Sequence, residues 1–236
     1  MKAAILVGGL GTRLRPIIGD CPKPLALVRG RPFLAYLLEW LRAQGYLDVV
    51  LCVGYRWQDI QAIFGNGSSV GMRLEYSVEE KPLGTAGALK HAADHLPGTF
   101  LALNGDSIVD ADLADLVRFH YETQALATLA LAAVPDARRY GLVECDSRRR
   151  VTAFEEKSSV LAANQTWVNA GVYVLEPQVL DYIPENRAVS LERETFPLLL
   201  QTRVPVMGYT LEGKLLDIGT PESYLRSQSD FRGIIG

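Results

Sequence analysis

Two cations beside a glycine-rich turn are the first residues of the chain that could do chemistry. Residues 8–14 read GGLGTRL and directly follow the apolar residues 3–7, and Lys23 lies ten residues after Arg13. Glycines let a backbone approach a ligand closely and present runs of N–H donors. Arg and Lys add positive charge where phosphate groups would lie. These residues therefore predict a site for a nucleoside triphosphate.

Three simpler interpretations of the glycine-rich turn compete with a triphosphate site. A P-loop requires G-x-x-x-x-G-K-[ST], and no Lys follows the glycines at that spacing. A dinucleotide fingerprint requires G-x-G-x-x-G and an acidic residue about twenty positions further on, but Leu14 replaces the third glycine and Arg29 stands at the acidic position. The third interpretation is a strand-to-helix turn that binds nothing, since glycine-rich turns are common. Residues elsewhere in the chain must decide.

Two aspartates are the candidates for holding a cation. Asp106 follows the apolar residues 100–103 in an Asn-Gly-Asp turn, and Asp217 follows an apolar pair. Taken alone, Asn-Gly-Asp is ordinary turn chemistry, and Asp217 could cap the next helix, although Thr220 suits that role better. Two carboxylates together with triphosphate oxygens supply the hard oxygen ligands that Mg²⁺ prefers. A magnesium site that uses both aspartates is therefore the functional interpretation.

Three further segments combine small or charged residues with the ends of predicted elements. Residues 83–88 read LGTAGA before a predicted helix, where backbone N–H groups could approach a base or ribose. A helix that merely begins with small residues also explains them. Glu155, Glu156 and Lys157 follow a predicted strand and by themselves indicate a charged surface. Asn169 begins an apolar run and could be a buried polar anchor.

The predicted elements place the glycine-rich turn and Asp106 at the same edge of a sheet. Strand-like runs alternate with helix-periodic segments through the first half of the chain. The predicted strands are residues 3–7, 48–53, 74–78 and 100–103, and the predicted helices are residues 33–41, 57–64, 85–95 and 112–123. This alternation predicts a parallel, doubly wound sheet. Ligands lie beyond the carboxyl ends of the strands in such sheets, so one crevice is expected to contain both motifs.

The second half of the chain has a more mixed pattern. The predicted strands there are residues 127–134, 142–144, 151–154, 168–175 and 204–209, and the predicted helices are residues 191–200 and 221–231. Neither a linker nor an internal repeat interrupts the sequence. We therefore predict one α/β domain over residues 1–236, a Rossmann-like doubly wound mixed sheet flanked by helices, in which the second half extends the sheet of the first.

Composition and charge exclude several classes of protein. The chain has 236 residues, a net charge of -3 and a pI of about 5.7, so nothing indicates a nucleic-acid partner. Cys21, Cys52 and Cys145 are scattered, which argues against a disulfide framework or a zinc site and favours a reducing compartment. The amino-terminal apolar run is too short for a signal peptide, and no stretch is as long as a membrane span. We expect a cytoplasmic protein with no membrane partner. The sequence leaves open whether the chain forms a homo-oligomer.

Eight motifs together resemble those of the sugar-1-phosphate nucleotidylyltransferases, in the order that this family shows. They lie at residues 8–14, 22–24, 82–88, 104–106, 140–141, 154–157, 169–173 and 217–221. The resemblance covers nearly the whole chain and implies a nucleotidyltransferase A-type fold with Mg²⁺ as cofactor. The implied reaction joins an NTP to a sugar 1-phosphate and releases pyrophosphate. Ser158 departs from the pattern, which often has Pro there, and the end at Gly236 predicts no C-terminal β-helix of the kind some members carry.

Two segments are most similar to one subgroup of this family, the D-glycero-α-D-manno-heptose 1-phosphate guanylyltransferases. They are residues 104–110 and 190–194. This similarity implies GTP and that heptose 1-phosphate as substrates. A mannose-1-phosphate guanylyltransferase and a hexose-1-phosphate uridylyl- or thymidylyltransferase are the alternatives. A non-catalytic nucleotide-sugar sensor is weaker, because every phosphate-binding cation and metal ligand of the motifs is present.

The resemblance also implies roles for individual residues. Arg13 would stabilise the triphosphate and the departing pyrophosphate, and Lys23 would hold a phosphate. Asp106 and Asp217 would share Mg²⁺. The predicted nucleotide contacts are Gly8, Gly9, Gly11, Thr12, Leu83, Gly84, Thr85 and Gly87. The predicted sugar-phosphate contacts are Gly141, Glu156, Lys157 and Asn169. Residues 1–110 would thus form mainly the nucleotide half and residues 111–236 mainly the sugar-phosphate half.

The implied reaction needs no general base. A sugar phosphate is already an anionic nucleophile near neutral pH, because its second pKa is about 6. None of the three histidines lies in a motif. Catalysis is then expected to rest on positioning and charge neutralisation.

Overall fold

A mixed sheet with helices on both faces organises the part of the chain that the computed structural model describes, residues 1–134, 137, 140–156 and 167–230. The strands are β1 Lys2–Leu6, β2 Leu27–Val28, β3 Arg31–Pro32, β4 Asp48–Val53, β5 Arg73–Val78, β6 Phe100–Asn104, β7 Ser107–Val109, β8 Ala127–Ala133, β9 Gly141–Cys145, β10 Val151–Glu156, β11 Trp167–Leu175, β12 Val206–Leu211 and β13 Leu215–Asp217. The α-helices are α1 Arg15–Ile18, α2 Phe33–Ala43, α3 Trp57–Phe64, α4 Gly84–His91, α5 Leu113–Glu122, α6 Phe196–Gln201 and α7 Pro221–Asp230.

Parallel strands from the first half form one side of the sheet. The strands β6, β1, β4 and β5 lie side by side in that order, and each pair is parallel. Leu6 at the end of β1 pairs with Cys52 and with Asn104, so the carboxyl ends of three strands meet at one edge. The strands are continuous apolar runs because both faces are covered. Ile5 packs into the core on one face and Ala4 into the core on the other.

Strands from the second half extend this sheet, and most of them are antiparallel. β11 pairs with β6 and with β8 and β9, β10 follows β9, and β12 runs parallel to β8. The register between β11 and β8 shifts between Asn169 and Tyr173, where Gly171 has a φ of +73°. A Cβ at position 171 would also lie 2.7 Å from Asn104 Nδ2. Both the conformation and the close approach therefore require glycine.

The predicted α/β fold, a mixed doubly wound sheet flanked by helices, is confirmed. The Asp112 side chain caps α5, and the Thr220 hydroxyl accepts a backbone N–H in the first turn of α7. The predicted helix over 191–200 differs, because it begins as a π-helical turn, Leu191–Thr195, before α6. The antiparallel ribbon of β7 and β13 was not predicted, since three residues in each strand are too few for a periodic signal. Among the helices described, none has the length and apolar character needed to cross a membrane.

Candidate active site

The glycine-rich turn lies at the carboxyl end of β1, beside the end of β6. The Gly105 N–H donates to Leu6 O at 3.0 Å, which fastens the Asn-Gly-Asp turn to β1. Gly11 has a φ of +60°, and a Cβ there would lie 3.1 Å from the Cβ of Lys23. The turn therefore packs against the segment that carries Lys23. The structure brings the glycines, Lys23 and Asp106 into one crevice, as the sequence predicts.

Lys23 and Asp106 form an ion pair in this crevice. Lys23 Nζ contacts Asp106 Oδ2, and the two side chains are 15% and 31% exposed. The Ser107 hydroxyl donates to Asp106 Oδ1 at 3.1 Å. Burial opposes ionisation of Asp106, yet the charge of Lys23, the hydrogen bonds and the charge of Arg13 hold the pKa of this carboxyl below its ordinary value. Asp106 is therefore ionised at neutral pH and could serve as an oxygen ligand.

Asp217 reaches the same crevice through the ribbon of β7 and β13. The ribbon pairs Asp217 with Ser107, and the Ile218 N–H donates to Asp106 O at 2.9 Å. A Cβ on Gly219 would lie 3.0 Å from Asp217 Oδ1 and 4.0 Å from Asp106 Oδ2. The two carboxylates thus face the same small space, although more than a hundred positions separate them in the sequence.

Hydrogen bonds fix the orientation of the Asp217 carboxylate. Oδ1 accepts from the Gly219 N–H and from the Ser223 hydroxyl, each at 2.8 Å. Oδ2 accepts from the Tyr140 hydroxyl at 2.6 Å. Partners of this kind commonly orient a carboxylate that ligates a metal ion. Tyr140 and Ser223 therefore hold Asp217 in the position from which it faces Asp106.

The two carboxylates fit a hard cation that also binds phosphate. Mg²⁺ is usually bound by one or two carboxylates together with substrate phosphates and water. Within the described residues, no group of three or more His, Cys, Asp or Glu could hold a metal ion by itself. Asp106 and Asp217 would therefore hold Mg²⁺ only in combination with phosphate oxygens, which is the arrangement expected for a nucleotide site.

Two adjoining cavities meet at this point. The first, of about 360 Å³, lies beside the glycine-rich turn, and the second, of about 430 Å³, extends towards β9, β11 and residues 190–193. Both volumes are typical of small-molecule sites. The residues that line both cavities are Arg13, Gly84, Thr85, Asn104, Asp106 and Gly219. A ligand in one cavity would therefore meet a ligand in the other beside Asp106.

Most of the predicted nucleotide contacts line the first cavity. Its lining includes Gly8, Gly9, Gly11, Thr12, Gly84 and Thr85, together with Arg13 and Lys23. Leu83 and Gly87 lie outside the lining of both cavities. Leu83 O accepts from Val189 N at 2.8 Å, and Gly87 N donates to Val189 O at 3.2 Å. These two residues hold the loop against the protein, and their role as nucleotide contacts stays a prediction.

The predicted sugar-phosphate contacts divide into two groups. Gly141 and Asn169 line the second cavity, as does Asp217. Glu156 ends β10, but its side chain is not among the described ones, and Lys157 lies outside the described residues. The roles of Glu156 and Lys157 therefore stay predictions.

Sequence reasoning missed Glu79, a half-buried carboxyl in the first cavity. A Cβ on Gly8 would lie 2.5 Å from Glu79 Oε1, and one on Gly54 would lie 2.8 Å away, so two glycines make room for this side chain. Glu79 Oε2 accepts from Leu83 N at 3.0 Å. Burial nevertheless raises the pKa of Glu79 above its ordinary value. The available signal was its place directly after β5, at the edge where ligands lie.

Two side chains of the second cavity also had no assigned role. Tyr140 lies in one of the eight motifs and donates to Asp217. Glu192 lies in the segment 190–194 and accepts hydrogen bonds from hydroxyl groups on distant elements. Neither contact follows from local sequence, because each joins elements that meet only in the folded chain.

A family model described as nucleotidyl transferase matches residues 2–232, which is nearly the whole chain. The chain belongs to the nucleotidyl transferase family. The match confirms, at the level of the family, the resemblance that the eight motifs indicate.

Curated relatives in this family act on sugar phosphates by name. The chain is 43% identical to a mannose-1-phosphate guanylyltransferase of Mycobacterium tuberculosis over 237 residues, 99% of this chain and 66% of the relative. It is 34% identical to a UTP–glucose-1-phosphate uridylyltransferase of Synechocystis over 249 residues, 100% of this chain and 63% of the relative. The chain thus spans just under two thirds of the length of these nucleotidyl transferases.

One solved structure matches this chain over nearly the full length of both proteins. HddC from Yersinia pseudotuberculosis, in a crystal structure complexed with GMP-PN, superposes with a TM-score of 0.82 at 28% identity. The match covers 98% of this chain and 99% of HddC. This chain therefore has the same architecture as HddC over nearly the full length of both proteins.

Proposed function

We propose that the chain transfers a nucleotidyl group from a nucleoside triphosphate to a sugar 1-phosphate, with release of pyrophosphate. The observation that carries this proposal is the meeting of the two cavities between Arg13, the Lys23–Asp106 pair and Asp217. A nucleotide in the first cavity would present its phosphates to this junction. A sugar phosphate in the second cavity would approach the same junction from the other side. The names of the curated relatives support the same reaction.

Charge neutralisation explains how these residues would perform the reaction. An oxygen of the sugar phosphate attacks the α-phosphorus, and the bond from this phosphorus to the bridging oxygen breaks, so that pyrophosphate leaves. Arg13 would stabilise the charge that accumulates on the departing pyrophosphate. Lys23 would reduce the repulsion between the two phosphate groups. Mg²⁺ held by Asp106 and Asp217 would supply further positive charge at the phosphates.

The second cavity is the proposed site of the sugar 1-phosphate. Asn169 presents an amide there, which can both donate to and accept from sugar hydroxyl groups. Gly141 leaves room beside it. Lys157 is proposed to pair with the sugar phosphate, and Glu156 to accept a hydrogen bond from a sugar hydroxyl. The carboxylates and cations of the junction then lie at the phosphate end of the sugar.

We further propose that GTP is the nucleotide donor, because Glu79 lines the first cavity. Guanine presents two adjacent N–H donors on its pairing edge, whereas uracil and thymine present a single N–H between two carbonyl oxygens. A carboxylate accepts from such donors and repels carbonyl oxygens. Burial of Glu79 penalises its charge, and guanine donors would compensate for that penalty. The 43% identical guanylyltransferase and the complex of HddC with GMP-PN favour the same base.

A sugar of manno configuration is the proposed acceptor, with two candidates. D-glycero-α-D-manno-heptose 1-phosphate is favoured by the segment 190–194, of which Ser190, Glu192 and Arg193 line the second cavity. Mannose 1-phosphate is favoured by the name of the 43% identical relative. The two sugars differ by one hydroxymethyl group. A pocket that hydrogen-bonds the extra hydroxyl rejects the shorter sugar strongly, whereas one that only encloses it discriminates weakly.

A matrix of substrates tests these proposals. Pyrophosphate release is measured for GTP, ATP, CTP, UTP and dTTP against mannose, heptose and glucose 1-phosphates, with Mg²⁺ present. We expect GTP with a manno-configured sugar to give the highest kcat/KM. Release from no pair would overturn nucleotidyl transfer, whereas a preference for UTP or for glucose 1-phosphate would overturn only the assigned base or sugar.

A variant pair tests the assignment of the base. Glu79→Gln exchanges one acceptor for a donor amide, so we expect the preference for GTP over UTP to fall about 10-fold. Glu80→Gln is the matched control, because Glu80 is the exposed neighbour and lines neither cavity. An unchanged preference in Glu79→Gln would remove Glu79 from base recognition.

A further inference from the structure

The carboxylate of Glu192 accepts hydrogen bonds from hydroxyl groups in different parts of the fold. Oε2 accepts from Thr85 and from Ser190, each at 2.8 Å, and Oε1 accepts from Tyr173 at 3.2 Å. Asn169 Nδ2 donates in turn to the Tyr173 hydroxyl at 2.7 Å. These five residues form what we call the Glu192 network.

The Glu192 network touches both proposed half-sites. Thr85 lies in the first turn of α4 and lines both cavities. Asn169 and Glu192 line the second cavity. Tyr173 has 0% exposure within β11, so it can touch neither substrate. Any effect of Tyr173 on substrate binding must therefore pass through its hydrogen-bonding partners.

The network has one consistent set of hydrogen-bond directions. An ionised carboxylate only accepts, so the hydroxyl protons of Thr85 and Tyr173 point towards Glu192. The Thr85 oxygen then accepts from Leu191 N at 2.8 Å, and the Tyr173 oxygen accepts from Asn169. Burial raises the pKa of Tyr173 well above its ordinary value, so the phenol keeps its proton. The carboxylate thus sets the directions of the two hydroxyl bonds, and Leu191 N and Asn169 Nδ2, which can only donate, complete the same set.

The orientation of Asn169 is fixed from both ends of its amide. Oδ1 accepts from the Gly171 N–H at 3.1 Å, and Nδ2 donates to Tyr173. Among the described contacts, this leaves one N–H and one lone pair of the amide for a ligand in the second cavity. An Asn whose amide group can rotate would lose part of its binding energy to ordering. The network therefore presents Asn169 to the sugar in a single orientation.

We propose that Glu192 is a positioning residue that joins the two half-sites, holding Thr85 on the nucleotide loop and, through Tyr173, Asn169 in the sugar cavity. This inference rests on the proposed function. It assigns to Glu192 an action through other side chains. Its loss would therefore weaken both substrates, although Glu192 lines only the second cavity.

Kinetics of three variants test this role. Tyr173→Phe removes one hydroxyl that no ligand touches, and we expect the KM for the sugar 1-phosphate to rise about 5- to 10-fold while the KM for the NTP stays within about twofold. Glu192→Gln is expected to raise both KM values about 5-fold or more, because a neutral amide cannot accept from all its partners. Tyr76→Phe is the matched control, since it removes a Tyr hydroxyl that donates to Gly65 O at 2.6 Å outside both cavities.

Each outcome decides the proposal. A Glu192→Gln variant that raises only the sugar KM, with Tyr173→Phe unchanged, would make Glu192 a direct sugar ligand and overturn a positioning role. If the variants have a lowered Tm but wild-type KM values, the network contributes only to stability, and this outcome also overturns a positioning role. If Glu192→Gln does not fold, the sugar KM of Tyr173→Phe decides alone. Wild-type protein that releases no pyrophosphate overturns the proposed function and this inference together, whereas active wild type with an unchanged Tyr173→Phe overturns the inference alone.

Discussion

The two cavities of the crevice are built in different ways. The first is framed by backbone, since the glycines of residues 8–11 follow a parallel strand, and Gly8 together with Gly54 leaves room for Glu79. The second is framed by side chains from several elements, held by the Glu192 network and by the bonds of Tyr140 to Asp217. A phosphate site can arise from one short turn, because every residue supplies an N–H donor. The proposed sugar site needs oriented side chains, and these come from distant parts of the chain.

Substitutions at the junction between the cavities are expected to have the largest effects on turnover. Asp106→Asn and Asp217→Asn should each lower turnover about 100-fold or more, because a neutral amide binds Mg²⁺ poorly and leaves phosphate charge unbalanced. The measurement is the rate of pyrophosphate release against Mg²⁺ concentration. Asp115→Asn on α5 is the control, since Asp115 pairs with Arg118 away from both cavities. A wild-type rate in either variant would remove that aspartate from the junction.

Cations assigned to the two cavities are expected to differ in the kinetic constant that they affect. Arg13→Ala should lower kcat about 100-fold, because Arg13 would stabilise charge that develops on the leaving pyrophosphate. Lys157→Ala should mainly raise the KM for the sugar 1-phosphate, because the sugar phosphate is charged before and after the reaction. Steady-state kinetics with each substrate varied in turn separate the two. If Lys157→Ala changed only the dependence on the NTP, the division of the crevice into two half-sites would be wrong.

Gly171, where β11 approaches Asn104 at the end of β6, is expected to affect the free energy of unfolding. Gly171→Ala should lower the free energy of unfolding by about 2 to 4 kcal/mol, because it adds a Cβ at positive φ and against Asn104. Gly71→Ala is the matched control, since Gly71 is left-handed with a φ of +69° and its Cβ position meets only the end of Arg42 at 3.6 Å, and should cost only about 1 kcal/mol. Urea denaturation measures both. Equal losses would mean that the approach to Asn104 costs nothing.

The smallest expected effect is a loss of stability at low pH, and it arises at the edge of the sheet opposite the crevice. His120 is buried, with Nδ1 2.8 Å from Thr128 Oγ1 and Nε2 3.1 Å from Glu176 Oε1. Burial lowers the pKa of His120 although Glu176 opposes this, so the unfolded chain binds more protons than the folded one just below a pH of about 6.5. Stability should therefore decrease as the pH falls through that range.

A substitution isolates the contribution of this histidine. His120→Gln should flatten the pH dependence of the urea midpoint between about pH 7 and 5, whereas His91→Gln, at an exposed histidine, should leave it unchanged. Pyrophosphate release measured in the same range should follow the wild type, because His120 lines neither cavity. A pH dependence that survives in His120→Gln would assign the effect to other groups.

Local sequence was sufficient for most of the longer elements and for placing the glycine-rich turn beside Asp106. Apolar runs predicted β1, β4 and β6, and Thr220, which the sequence favours as a cap, lies at the start of α7. The rule that ligands lie beyond the carboxyl ends of parallel strands placed the glycine-rich turn and Asp106 together. These inferences succeeded because strand periodicity, helix capping and turn chemistry depend on residues a few positions apart.

Only the tertiary structure decided which distant residues share a cavity. The ribbon of β7 and β13 carries Asp217 to Asp106, and two glycines admit the carboxyl of Glu79. The contacts of Glu192 with Thr85 and Tyr173 likewise join three separate segments. None of these contacts has a local signal, because each depends on the pairing and packing of elements far apart in the sequence. The sequence by itself therefore determined the fold class and the motifs proposed to bind phosphate, whereas the packing of the sheet, the ribbon and the π-helical turn determined the second cavity and its link to the first.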